Sequence, residues 1–215
     1  MKNVVIYGAG GFGKEIACLL RHINECEPTW NLLGYIDDNE EIWGEPISHF
    51  GICLGGIDYL NNYTSDIAVV LGMGSSNAVK SVRQKITNGH VYFPNVIHPT
   101  FRVNDPETFK IGEGNIIQSM CIATCDVSIG DFNALNGAIT LGHDVSIGDY
   151  NTIMPGVRIS GETKVGSCNF FGVGSIVLQG MKIGNNIRLG AGSVLMTKPK
   201  DGNLYMGNPA RKTEL

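Results

Sequence analysis

Two short stretches hold the residue types that chemistry needs. "LGHDVSIGDY", residues 141–150, sets His143 directly before Asp144. A carboxylate beside an imidazole makes it more basic and fixes its orientation, which is what a general base near neutral pH requires. "YGAGGFG", residues 7–13, holds Gly8-x-Gly10-x-x-Gly13 straight after the apolar run "NVVI". A loop of this kind lets backbone N–H groups and a helix N-terminus meet a phosphate. Neither stretch is decisive alone. The glycine fingerprint serves dinucleotides and single nucleotides alike, and by position His143 reads as an exposed polar corner as readily as a base. The remaining histidines (His22, His49, His90 and His98) show no metal-ligand spacing, so no metal site is expected. The six cysteines form no CxxC pair and read as reduced, mostly buried thiols.

The elements that must position these residues follow two different rules. Residues 1–92 alternate strands and helices. "NVVIYG", "LLGYIDD" and "DIAVVLGMG" read as apolar strands ending in glycine or aspartate, while "GKEIACLLRHI" and "NAVKSVRQKITNG" have helical spacing. Strand, glycine turn, helix, strand is a βαβ unit with a parallel sheet, whose ligands sit at the C-terminal strand ends. The turns at 8–13, 37–38 and 72–77 all fall there. The acidic pair Asp37-Asp38 ends the second strand, where a carboxylate bonds a ribose or base. About 92 residues supply only half of a dinucleotide fold, which suits one nucleotide.

From Ile111 onward the period changes. Aliphatic-Gly pairs recur every eighteenth residue at Ile111, Ile129, Ile147, Val165 and Ile183. Every sixth residue from Ile111 to Leu195 is apolar, through Ile117, Ala123, Leu135, Leu141, Ile153, Ile159, Phe171, Val177 and Leu189. This is a hexapeptide repeat. One residue per hexad points inward, three hexads close a triangular coil, and coils stack at the strand spacing of about 4.8 Å. The tight corners account for 29 glycines in 215 residues. Residues 93–110 read as an irregular first coil, so a helical domain over 93–200 and a tail over 201–215 are expected. His143 lies two places after the inward Leu141 and should project outside its corner. One coil above it stands Gly161; one below, Cys125.

The two halves together resemble bacterial acyltransferases that acetylate sugars, the PglD/NeuD-type group with a left-handed parallel β-helix. "GAGGFG", "YIDD", "GHDVSIGDY" and the closing "LGAGSVLMTKPKDGNLYMGNPARK" carry the resemblance, which covers nearly the whole chain. It implies His143 as catalytic base, Asp144 as the group that makes it more basic, and Asn136 as a further catalytic-site residue. It implies an acetyl-CoA groove along the coils, between protomers of a homotrimer, with contacts at Thr152, Gly161, Val173 and Ala191. Gly161 would offer its N–H to the oxyanion. It also implies a nucleotide-linked sugar at Gly10, Gly11 and Phe12, with Asp37, Asp38 and Gly72 completing that pocket. Phe12 and Thr152 stand where family members often carry histidine. The activity implied is transfer of an acetyl group to the 4-amino group of a nucleotide-linked amino-deoxysugar, in glycan biosynthesis. O-acetylation of sialic acid and a non-catalytic sugar-nucleotide binding module remain the alternatives.

The bulk properties agree with such a chain. A net charge of −4 and a pI near 5.7 argue against nucleic acid as the main partner. No apolar run reaches membrane-spanning length, and a strand begins almost at once, so a cytoplasmic protein is expected.

Overall fold

A computed structural model describes residues 1–214, and it divides them into two compact units meeting at Pro99 and Thr100. The first unit is an α/β domain. Its elements are β1 (Lys2–Tyr7), α1 (Gly11–Cys26), β2 (Trp30–Ile36), β3 (Cys53–Gly55), α2 (Ile57–Asn61), β4 (Ile67–Leu71), α3 (Ser76–Lys85) and β5 (Val91–Tyr92). The sheet runs β3-β2-β1-β4-β5, parallel throughout. β1 and β4 form the centre as near-continuous apolar runs, because both faces of a parallel sheet are covered. β3, α2 and β5 are too short to show a period in sequence. Strand order reverses between β1 and β4, and a crevice opens at such a switch point.

Glycine spacing sets the approach of α1 to β1. A Cβ on Gly13 would lie 2.0 Å from the Gly8 carbonyl oxygen, so only hydrogen fits there. Gly8 itself takes a φ of +108°, and a Cβ on it would lie 2.8 Å from the Gly72 carbonyl oxygen. The first and third glycines of the fingerprint therefore serve packing of helix and neighbouring strand. Gly10 and Gly11 are different: a Cβ on either would meet nothing within 4 Å.

The second unit is the hexapeptide helix, a left-handed parallel β-helix. Two-residue strands recur every six residues and pair in parallel with those eighteen residues on, as Ile129 with Ile147 and Leu141 with Ile159. The pairing makes three faces. The first carries Ile111, Ile129, Ile147, Val165 and Ile183; the second Ile117, Leu135, Ile153, Phe171 and Leu189; the third Ala123, Leu141, Ile159, Val177 and Leu195. Apart from the half-buried Ile111, all these side chains are buried. Pairing begins earlier than the regular repeat, at Arg102–Val103 and Lys110–Ile111. The tail closes the stack with an antiparallel hairpin, Leu204–Gly207 with Ala210–Thr213, docked on Arg188–Leu189.

The interior takes two residues per hexad, where the sequence reading assigned one. The second is four places after the first, and at this position Asn115, Asn133, Asn151, Thr163, Asn169, Ser175 and Ser193 are all buried. The asparagines form a ladder: Asn133, Asn151 and Asn169 each donate from Nδ2 to the Oδ1 of the asparagine one coil below, at 3.0–3.1 Å. Polar residues in the core hide this second period from any search for apolar spacing. Between the two inward residues, each corner carries a residue with φ near +60°, at every sixth position from Gly114 to Gly192. Asp144 occupies one of these left-handed positions (φ 58°), which aspartate tolerates better than most side chains.

Candidate functional site

In the helical unit the structure brings His143, Asp144 and Gly161 together at the corner that follows the third face. His143 Nδ1 lies 2.8 Å from Asp144 Oδ2. A carboxylate only accepts, so Nδ1 carries the proton and Nε2 presents its lone pair. This bond, and behind it the charges of Asp144 and Glu162, raise the His143 pKa above its ordinary value. The imidazole lies against Gly161, as coil stacking predicts: a Cβ there would be 2.5 Å from His143 Nε2 and 2.7 Å from Cε1. Glu162 donates its backbone N–H to the His143 carbonyl at 2.8 Å, which locks the two coils in register. The Gly161 N–H donates to no protein acceptor among the described residues, while its carbonyl accepts from Gly180. Cys125, beneath His143, is exposed, and its carbonyl takes the Asp144 N–H. Of the other thiols, Cys53 and Cys121 are buried, Cys18 and Cys168 half-buried and Cys26 exposed; all six are free.

The other residues assigned to this site from sequence stand elsewhere on the same coil. Asn136, Val173 and Ala191 occupy the corner after the second face, a full face away from His143. Asn136 is buried, and its amide donates to the Ile153 carbonyl at 3.2 Å. Val173 is half exposed. Thr152 lies on the second face, its N–H bonded to the Asn169 carbonyl. The His143 corner and the Asn136, Val173 and Ala191 corner are thus separate places on the coil. Exposed apolar side chains collect around the second corner and its flanks: Met120 (68%), Val173 (50%), Phe170 (37%) and Ile176 (36%). On the first face, a groove one to three coils beyond His143 is lined by Lys164, Lys182 and Lys198.

In the α/β unit the three predicted turns converge at the C-terminal ends of β1, β2 and β4. Gly10 caps α1 without a side-chain bond, and no acidic residue occupies the first turn. The helix N-terminus is left open for an anion, with bare glycines in front of it. The acidic pair behaves differently from the simple expectation of two free carboxylates. Asp37 Oδ2 accepts the Ala9 N–H at 2.9 Å and its Oδ1 the Asn39 N–H at 3.0 Å, so this side chain ties the glycine loop to the turn after β2. Asp38 accepts a bond from the Tyr7 hydroxyl, whose pKa is raised first by burial and then by that bond. Gly72 donates its N–H to the Tyr7 carbonyl at 2.7 Å, and a Cβ on it would crowd Ile16 and Gly13. Tyr7 was not singled out from sequence; only the pairing of β1 beside β2 puts its hydroxyl at Asp38.

Among the described residues no cluster of His, Cys, Asp or Glu could hold a metal ion, and no helix is long and apolar enough to cross a membrane.

An α/β domain with an open glycine loop precedes a hexapeptide helix with a His-Asp pair at a corner, and this two-domain architecture is shared with solved acetyltransferases. The comparisons agree with the resemblance drawn from sequence. Residues 3–88 match the family model of the PglD N-terminal domain. The solved acetyltransferase domain of PglB from Neisseria gonorrhoeae FA1090 is 24% identical, with a TM-score of 0.87 over 99% of this chain and 100% of that one. It is also solved in complex with acetyl coenzyme A. PerB from Caulobacter crescentus, in complex with CoA and GDP-perosamine, is 25% identical with a TM-score of 0.83, over 100% of this chain and 98% of that one. WeeI from Acinetobacter baumannii AYE is 23% identical with a TM-score of 0.83, over 99% and 100% of the two chains. No curated protein matches the chain.

Proposed function

We propose that this chain is an acetyl-CoA-dependent N-acetyltransferase acting on the 4-amino group of a nucleotide-linked amino-deoxysugar. The observation that carries the reading is the His143 corner. Its Nδ1–H is held by Asp144, its Nε2 is free, and an unengaged backbone N–H lies one coil above. The substrate amine attacks the thioester carbon directly. Nε2 takes the proton that the amine loses as the C–N bond forms. The Gly161 N–H steadies the oxygen as negative charge develops. Collapse of the tetrahedral adduct breaks the C–S bond and releases CoA, so no acyl-enzyme is needed.

Two further features support the reading. The lysine-lined groove on the first face starts one coil above the His143 corner and runs away from it along the coils, which suits the phosphates of CoA. The glycine loop, the open α1 N-terminus and Asp38 suit a nucleoside diphosphate. PerB was solved with CoA and GDP-perosamine; we extend the substrate class, and not the particular sugar, to this chain. In this reading the functional unit is a homotrimer. The His143 corner of one protomer faces the Asn136, Val173 and Ala191 corner of the next, and the exposed apolar side chains there are covered.

The test is thiol release from acetyl-CoA with UDP-, GDP- and dTDP-linked 4-amino-sugars, beside free sialic acid. Turnover with an amino-sugar, reduced roughly 10²–10⁴-fold in His143→Ala, is the expected result. Turnover with sialic acid alone would assign O-acetylation instead. Silence with all four would favour a binding module.

A further inference from the structure

Trp43 has no part in the site described so far. It is one of few large apolar side chains exposed in the α/β unit (43%), whereas the chain's other tryptophan, Trp30, is buried at 8%. It is exposed but not loose. Its indole Nε1–H donates to the Asp37 carbonyl at 2.8 Å. The six-membered edge of its ring rests on Gly56, where a Cβ would lie 2.8 Å from Cζ2. The short 3-10 turn Glu40–Ile42, capped by Asn39, delivers it there. A tryptophan pinned at its polar atom and one edge, with much of its surface left to solvent, is a preformed platform.

Its place in the fold says what the platform is for. Asp37 bonds Trp43 through its backbone carbonyl and the Ala9 N–H of the glycine loop through its carboxylate. One residue therefore separates the indole from the phosphate-binding loop. Two hydrogen bonds and the width of an aspartate put the indole N–H within about 10 Å of Ala9 N. That is the span between base and diphosphate in a nucleotide. Because its N–H is already engaged, the indole offers a ligand only its π surface. Stacking of this kind accepts any base, because every base has a π face.

We propose that Trp43 is the stacking platform for the nucleobase of the bound nucleoside diphosphate, a binding residue rather than a structural plug of its turn. The inference rests on reading the α/β unit as a nucleotide-sugar domain. The test uses the full-length protein with UDP, GDP and dTDP as probes, calorimetry for affinity, and tryptophan fluorescence for the contact. Saturable quenching by at least one of them is expected, absent in Trp43→Phe, where only Trp30 emits. Trp43→Ala should weaken that nucleotide roughly 5- to 100-fold, and Trp43→Phe by much less, with the KM for acetyl-CoA unchanged in both. If Trp43→Phe loses as much affinity as Trp43→Ala, the lost indole N–H bond is the cause and the stacking role is overturned. Unaltered affinity in Trp43→Ala overturns it too, and leaves the nucleotide domain standing. If the wild-type protein binds none of the three, the inference falls together with the reading beneath it.

Discussion

At the scale of single residues, the site depends on one hydrogen bond and one missing side chain. Asp144 raises the His143 pKa, and a general base works only unprotonated. The rate should therefore fall as pH drops through a value above the ordinary histidine range near 6.5. Asp144→Asn removes the charge that holds the imidazolium, so the acid limb of the kcat/KM profile should move to lower pH, with a lower plateau. A limb in the same place in both proteins would separate Asp144 from the base. Gly161→Ala asks a different question. Gly161 is outside the left-handed region, so its backbone accepts alanine. The new methyl would press on His143 Nε2, the atom that must take the proton. Activity should drop at least ~100-fold, the lower range of a general base's contribution, while thermal unfolding shifts little.

At the scale of elements, each half is built on contacts that a short window of sequence does not show. The helix is held by backbone pairing between coils and by an asparagine ladder inside it. Asn151 donates to Asn133 Oδ1 and to the Gly166 carbonyl, and accepts from the Asn169 N–H and amide. Asn151→Ala leaves the Gly166 carbonyl and the Asn169 N–H without these partners, while Asn133 Oδ1 keeps the Asn151 N–H and Asn169 Nδ2 keeps the Gly184 carbonyl. It should cost about 2–4 kcal/mol in denaturant unfolding, since each unsatisfied buried group costs about 1–3 kcal/mol. A change within error would mean that the ladder sets register without adding stability. In the α/β unit the corresponding constraint is Gly13, where any side chain would drive α1 off the Gly8 carbonyl and deform the glycine loop.

At the scale of the molecule, the assigned site residues fall on two corners of the coil. If the active site lies between protomers, two inactive variants should rescue each other. His143→Ala supplies an intact second corner, and Val173→Trp, which fills the groove there, supplies an intact His143. Neither should turn over alone. Mixed in equal amounts and reassembled, about a quarter of wild-type activity should return, because each mixed trimer then has one interface in three that pairs two intact corners. No rescue in a mixed oligomer confirmed by mass would put the whole site on one chain.

The sequence by itself was enough to separate the halves, since strand-helix alternation and a strict six-residue period are both local signals that run through the chain. It also placed the His143 corner, because a coil of eighteen residues turns addition into geometry: His143 and Gly161 touch as their spacing requires. Its glycine fingerprint located the loop between β1 and α1. The roles inside that loop were not legible, because Gly8 and Gly13 meet each other while Gly10 and Gly11 face open space. The second inward position was hidden, since Asn, Ser or Thr interrupts its apolar period in several hexads and the asparagines are satisfied by one another only across coils. Asp37, Tyr7 and Trp43 show the same limit. Whether a carboxylate is free for a ligand or bound to its own loop depends on partners up to 31 residues away, which only the folded sheet brings together.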